Sequence, residues 1–206
     1  MSIFIDISAI QNIIYIFSSI LFISGIKMLG KEDTAVKGNF LSAMAMFIAV
    51  SVTIINVVNP IIVIIGIAIG ALIGSLIALK VKMTSIPEMV ALFNGFGGLA
   101  TFFIAWSEFN AIPDNVFQYV LIMLTTYIGG VTFSGSIIAY GKLSEKLKIQ
   151  KDSIITKLFT TLFYLSILFL VYSTALTSFI EIPIDFYKVL LILTLLGGIG
   201  FVLPIG

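Results

Sequence analysis

Ile61-Ile-Val-Ile-Ile-Gly-Ile-Ala-Ile-Gly-Ala-Leu-Ile-Gly-Ser-Leu-Ile-Ala-Leu79 carries no charged side chain and no proline. In hydrocarbon every backbone amide must be satisfied within its own segment, and a helix does this. At about 1.5 Å per residue the run approaches the ~30 Å depth of a bilayer core, so it reads as a transmembrane helix. Asn59-Pro60 interrupts the chain just before it, which predicts a tight helical hairpin with the segment upstream. Gly66, Gly70 and Gly74 recur every four residues. They smooth one face so that another helix can approach closely, a packing role rather than a chemical one.

The whole chain follows this pattern. It is 60% hydrophobic and 10% charged, with a mean hydropathy of +1.21, too apolar for a soluble core of this size. The reading is an all-α polytopic membrane helix bundle forming a single transmembrane domain over 1–206, with helices near 7–29, 41–58, 61–79, 87–107, 116–139, 158–180 and 186–203. The first segment lacks the basic start and small-residue cleavage site of a secretory leader. Lys27, Lys31 and Lys37, then Lys80 and Lys82, then Lys142, Lys146, Lys148, Lys151 and Lys157 fall in loops that seven crossings place on one side. The other side has Lys188 with Glu108, Asp114, Glu181 and Asp185. The positive-inside rule puts the N-terminus outside. The loop from Gly141 to Lys157 can lie as a short interfacial helix or as a solvated loop at the head groups.

Composition also excludes chemistry. Without cysteine or histidine there is no thiolate nucleophile, iron–sulfur site, zinc site of ordinary type or histidine-based triad. With no arginine and a net charge of +1, nucleic-acid binding is not expected. Gly95-Phe-Gly97-Gly98-Leu-Ala100 fits a G-x-G-x-x-A pattern, but it lies inside an apolar helix. The dinucleotide fingerprint needs a strand before it and a soluble βαβ unit around it.

Two polar, glycine-rich stretches stand out against this background. Pro87-Glu88 opens the fourth helix, with Thr84 or Ser85 available as a cap. Glu88 is either a first-turn carboxylate favoured by the helix dipole or a proton-coupling group. Asn94 lies six residues further, roughly 9 Å deeper, beside Gly95, Gly97 and Gly98. An amide at that depth needs partners: either an interhelical hydrogen bond or a polar path. In the fifth helix, Thr125, Thr126, Thr132, Ser134 and Ser136 accompany Gly129, Gly130 and Gly135. Any one hydroxyl can bond its own helix, but their density suggests a lined cavity or hinge. Gln11, Asn12 and Asn56 fall near the outer interface and need no special role.

Met83-Thr84, Pro87-Glu88-Met89-Val90-Ala91, Asn94-Gly95 and Gly97-Gly98, followed by Val131-Thr132-Phe133, Gly135-Ser136 and Gly141-Lys142-Leu143, resemble the membrane domain of the beta subunit of proton-translocating NAD(P) transhydrogenase. A weaker similarity runs from the first helix to Leu203-Pro204-Ile205-Gly206. The resemblance implies the proton-translocating part of that enzyme, in a bacterial inner membrane, with hydride transfer between NAD(H) and NADP(H) carried out by other domains. It implies no nucleotide, cofactor or metal bound by this chain. It implies as partners an alpha subunit, the remaining beta-subunit helices with their NADP(H)-binding domain, and a dimer of protomers. Asn94 falls where some members carry a channel histidine, and Glu88 and Ser136 match positions near the cytoplasmic end of the proton path.

Two departures accompany the resemblance. Leu121, with Gln118 and Tyr119 nearby, stands where many members have a carboxylate. The family also continues beyond the position of Gly206, so the expectation is a fragment or one piece of a divided subunit, inactive alone. The rival reading from the residues themselves is a secondary transporter or channel subunit for a small solute, built on glycine-broken helices.

Overall fold

The computed structural model describes residues 7–57, 59–111, 115–148, 153–176 and 183–205, and every regular element among them is helical. The helices are α1 (Ile7–Leu29), α2 (Ala35–Ile54), α3 (Pro60–Lys80), α4 (Ile86–Asn110), α5 (Val116–Leu143), α6 (Ile154–Leu176) and α7 (Ile184–Val202). Among the described residues seven helices are long and apolar enough to cross a membrane. They fall into two compact units, Met1–Leu79 and Lys80–Gly206.

In the first unit α1 and α2 form a hairpin. Gly25 and Gly38 let the backbones meet: a Cβ on Gly38 would stand 2.7 Å from the Gly25 carbonyl oxygen. At the other end of the pair, Asn56 Nδ2 donates to Gln11 Oε1 at 2.8 Å, and Tyr15 and Thr53 share a hydrogen bond of 3.0 Å. Gln11 and Asn56 are thus partners across the hairpin rather than independent surface amides. No residue of α3 is buried, and a Cβ on Gly66, Gly70 or Gly74 would meet nothing within 4 Å. Within its own unit the glycine groove is uncovered.

The second unit packs α4 against α5 and sets α7 against both α5 and α6. Small residues control these approaches, as expected where lipid removes the hydrophobic drive between helices. A Cβ on Gly98 would stand 2.8 Å from Phe133 N, and one on Gly129 would stand 2.7 Å from Phe102 N. Phe102, Ala105, Phe109, Ile122, Met123 and Leu190 belong to its buried core. The Tyr187 ring stacks on Phe109 with centroids 3.8 Å apart, and its hydroxyl lies 2.6 Å from Thr126 Oγ1.

The helix bounds differ from the apolar runs where polar residues extend a helix past its lipid-facing part. α2 starts at Ala35, well before 41, because Thr34 turns the chain by donating to the Met28 carbonyl at 2.8 Å. α5 continues through Gly141 and Lys142 to Leu143, so that part of the 141–157 loop is the end of a transmembrane helix. α6 starts at Ile154 rather than 158; residues 149–152 and 177–182, and with the latter the expected end of α6, lie outside the described residues. Neither Thr84 nor Ser85 caps α4. Met83–Ser85 forms a 3-10 turn, and Ser85 takes φ −98° and ψ 6°, away from the extended backbone that aims a capping side chain. Asn115 caps α5 instead, its side chain accepting from Gln118 N at 2.9 Å. Asn115→Ala should cost about 1 kcal/mol, read as a lowered thermal midpoint in detergent.

After α5 the chain leaves through Glu145 at φ 56°. A side chain in the left-handed region costs roughly 1–2 kcal/mol, and glycine avoids most of it. Glu145→Gly is therefore expected to stabilise the protein by about 1 kcal/mol, seen as a raised thermal midpoint. An unchanged or lower midpoint would contradict the strain.

Candidate functional site

α4 brings Asn94 to the face of α5 that carries Ser136, and Asn94 Nδ2 donates to Ser136 Oγ at 3.0 Å. The contact depends on Gly95, which is buried: a Cβ there would press on Ser136 Cβ at 3.0 Å. Ser136 is 8% exposed, whereas Asn94 is exposed within this chain. The pair borders an open cavity of about 260 Å³, walled by Thr132, Gly135 and Ala139 of α5 and by Phe201 and Val202 of α7. Such a volume holds several waters.

The α5 hydroxyls divide by what they bond. Thr125 donates to the Leu121 carbonyl at 2.7 Å and Ser134 to the Gly130 carbonyl at 3.0 Å, the self-satisfaction that hydroxyls in helices commonly show. Thr126 pairs with Tyr187. Ser136 differs, because it accepts from Asn94 and bonds no carbonyl of its own helix among the described residues. Its own proton and the Asn94 carbonyl oxygen are left to the cavity. A hydroxyl and an amide oxygen side by side give one donor and one acceptor for ordering water.

The remaining residues singled out from the sequence scatter around this pair. Gly98 lies in the α4–α5 contact and Gly135 against Val202 and the Gly198 carbonyl, while Gly97 faces open space. α5 runs unbroken past Gly129, Gly130 and Gly135, and each of the three sits where another helix comes close. Glu88 is half-buried in the first turn of α4 and has no hydrogen-bond or ion-pair partner among the described residues. Leu121, in the place of a family carboxylate, is 45% exposed.

Sequence reasoning passed over the α7 wall, Phe201 and Val202, and the Thr126–Tyr187 pair. It also passed over the partners of Lys142, whose Nζ donates to the carbonyls of Val202 at 3.0 Å, Leu203 at 2.6 Å and Ile205. A lysine in the last turn of one helix and a helix end at Val202 are each visible in the sequence, but their meeting is not.

Fold and site together define a polytopic helical membrane protein with a hydrogen-bonded amide and hydroxyl on an open cavity between helices. Residues 11–206 match the model of the NAD(P) transhydrogenase beta subunit, and the chain belongs to that family. It is similar to the NAD(P) transhydrogenase subunit beta of Rhodospirillum rubrum, 34% identical over 140 residues that take in 63% of this chain and 30% of that protein. The subunit beta from a named strain of the same organism aligns with the same identity and coverage. The aligned part is thus under a third of the length of these curated relatives.

Proposed function

We propose that this chain is a proton-conducting membrane module of an NAD(P) transhydrogenase, coupling proton movement to hydride transfer between NAD(H) and NADP(H) on other domains. The observation that carries the reading is the Asn94–Ser136 pair opening on a cavity with room for water. Family membership supplies the reaction it serves. In this reading the chain forms one transmembrane domain of a bacterial inner membrane, N-terminus outside. It works with an alpha subunit, the remaining beta-subunit helices and NADP(H)-binding domain, and a second protomer. It holds no nucleotide itself.

Neither an amide nor a serine hydroxyl titrates near neutral pH, so these two groups do not carry the proton as bound charge. They orient a water file. Ser136 Oγ–H donates to one water and Asn94 Oδ1 accepts from another, which fixes the polarity along which protons hop. Glu88, six residues before Asn94 on α4 and roughly 9 Å away along the helix, is the ionisable group at the cytoplasmic mouth. Alternating access then means exposing the pair to one side of the membrane at a time, in step with the nucleotide domain beneath.

The test is Asn94→Leu in the complete complex, reconstituted in vesicles with a pH-sensitive dye inside. Leucine keeps the bulk but removes the amide that orders water beside Ser136. A hydrogen bond to a charged group is worth about 1.5–3 kcal/mol, and losing that support for the moving proton raises the barrier, each ~1.4 kcal/mol being about tenfold in rate. Coupled pumping should therefore fall about tenfold or more with assembly intact. Unchanged coupled pumping would remove Asn94 from the path.

A further inference from the structure

Lys142 stands seven residues beyond Gly135 on α5, close to two full helical turns, so it lies on the same face. That face packs on the end of α7: a Cβ on Gly135 would stand 3.1 Å from Val202 Cγ2 and 3.2 Å from the Gly198 carbonyl oxygen. The last carbonyls of a helix lack intrahelical donors. Lys142 Nζ reaches three carbonyls there, Val202 at 3.0 Å, Leu203 at 2.6 Å and Ile205. A cation is also favoured at the negative end of the helix dipole. Val202, whose carbonyl is held, and its neighbour Phe201 line the Asn94–Ser136 cavity.

We propose that Lys142 is a positioning residue for this cavity, clamping the last turn of α7 so that Phe201 and Val202 stay in place as its wall. The cavity's connection to proton movement rests on the function proposed above; the clamp does not. Lys142 is not itself one of the water-ordering groups. It acts through the backbone of α7, tying the end of that helix to the helix that carries Ser136. A loosened α7 end would change how far the cavity opens and would alter turnover more than nucleotide affinity, since no nucleotide contacts these residues in this reading.

The chain has no cysteine of its own, so a single introduced thiol reports the cavity when labelling is read on this chain after it is separated from its partners. In the complete complex carrying Ala139→Cys on the cavity wall, the labelling rate by a small water-soluble thiosulfonate is compared among Lys142, Lys142→Arg, Lys142→Gln and Lys142→Met. The expected result is a change of at least about fivefold for Lys142→Met, a smaller one for Lys142→Gln, and a rate near the parent for Lys142→Arg, whose guanidinium keeps both charge and donors. If Lys142→Met does not accumulate, Lys142→Gln decides. Equal labelling rates in the folded variants would overturn the clamp. Coupled pumping on the same preparations, without Ala139→Cys, separates the two claims. A changed labelling rate with a several-fold loss of kcat at constant KM supports both. A changed rate with pumping intact supports the clamp and takes the cavity out of the proton path.

Discussion

Leucine at Gly129 is expected to part α4 from α5 and to prevent accumulation of the folded protein. A Cβ on this residue would stand 2.7 Å from Phe102 N, 2.9 Å from the Gly98 carbonyl oxygen and 3.0 Å from Phe102 Cα. All three are backbone atoms, so no rotamer change relieves the overlap, and α4 as a whole must move. In a bilayer the lipid tails are as apolar as the side chains, and helix association rests on close van der Waals contact. Separating the two backbones therefore forfeits the contact itself. It also loosens Phe102, buried at this crossing, and pulls Asn94 away from Ser136. Overpacking of this kind costs about 3 kcal/mol, a large part of the stability of a typical domain. Gly97→Leu is the control, because a Cβ at Gly97 would meet nothing within 4 Å. Membrane-fraction yield and thermal unfolding in detergent should separate the pair decisively. Equal behaviour of the two variants would show that α4 and α5 do not meet at these glycines.

That crossing also explains how far the sequence could be read. Each helix was visible as an apolar run because lipid leaves few alternatives: Ile61–Leu79 has nowhere else to go. The ends were less visible. Lys37, Gly38 and Asn39 look like loop by hydropathy, yet α2 begins at Ala35, since helical hydrogen bonding continues into the interface after the lipid stops. Asn94 was legible as an anomaly, a polar group where burial without a partner is costly, but its partner was not. Which α5 hydroxyl faces Asn94 is set by where Gly98 meets Gly129, and nothing local to either helix encodes that register. Ser136 reached the candidate list through its helix's hydroxyl density and the family resemblance. Lys142 entered as one positive charge among many and as part of the Gly141-Lys142-Leu143 element of the resemblance, with no partner assigned to it. Its acceptors lie sixty and more residues later, and backbone carbonyls carry no sequence signature.

The second large effect concerns Asn94 and Ser136 as a unit. If they order one water file together, their substitutions should fail to add. Ser136→Ala removes the acceptor of the Asn94 amide and the donor to the cavity, and the smaller side chain leaves Gly95 undisturbed. Asn94→Leu removes the other half. Each single change is expected to reduce coupled pumping about tenfold or more, since each removes a group that orders water for the moving proton. The double variant should pump about as well as the worse single one, because once either member is gone the remaining group no longer orients the file. Independent roles would instead multiply, giving a loss of roughly a hundredfold or more. The cycle is run on the complete complex in vesicles, with thermal midpoints of all four proteins measured alongside. A lone interhelical hydrogen bond with no part in conduction predicts lowered midpoints and unchanged pumping per folded complex, and that pattern would strike the pair from the mechanism. A coupling in pumping per folded complex that exceeds the coupling in stability places the interaction in proton movement, because a purely structural pair acts on stability alone.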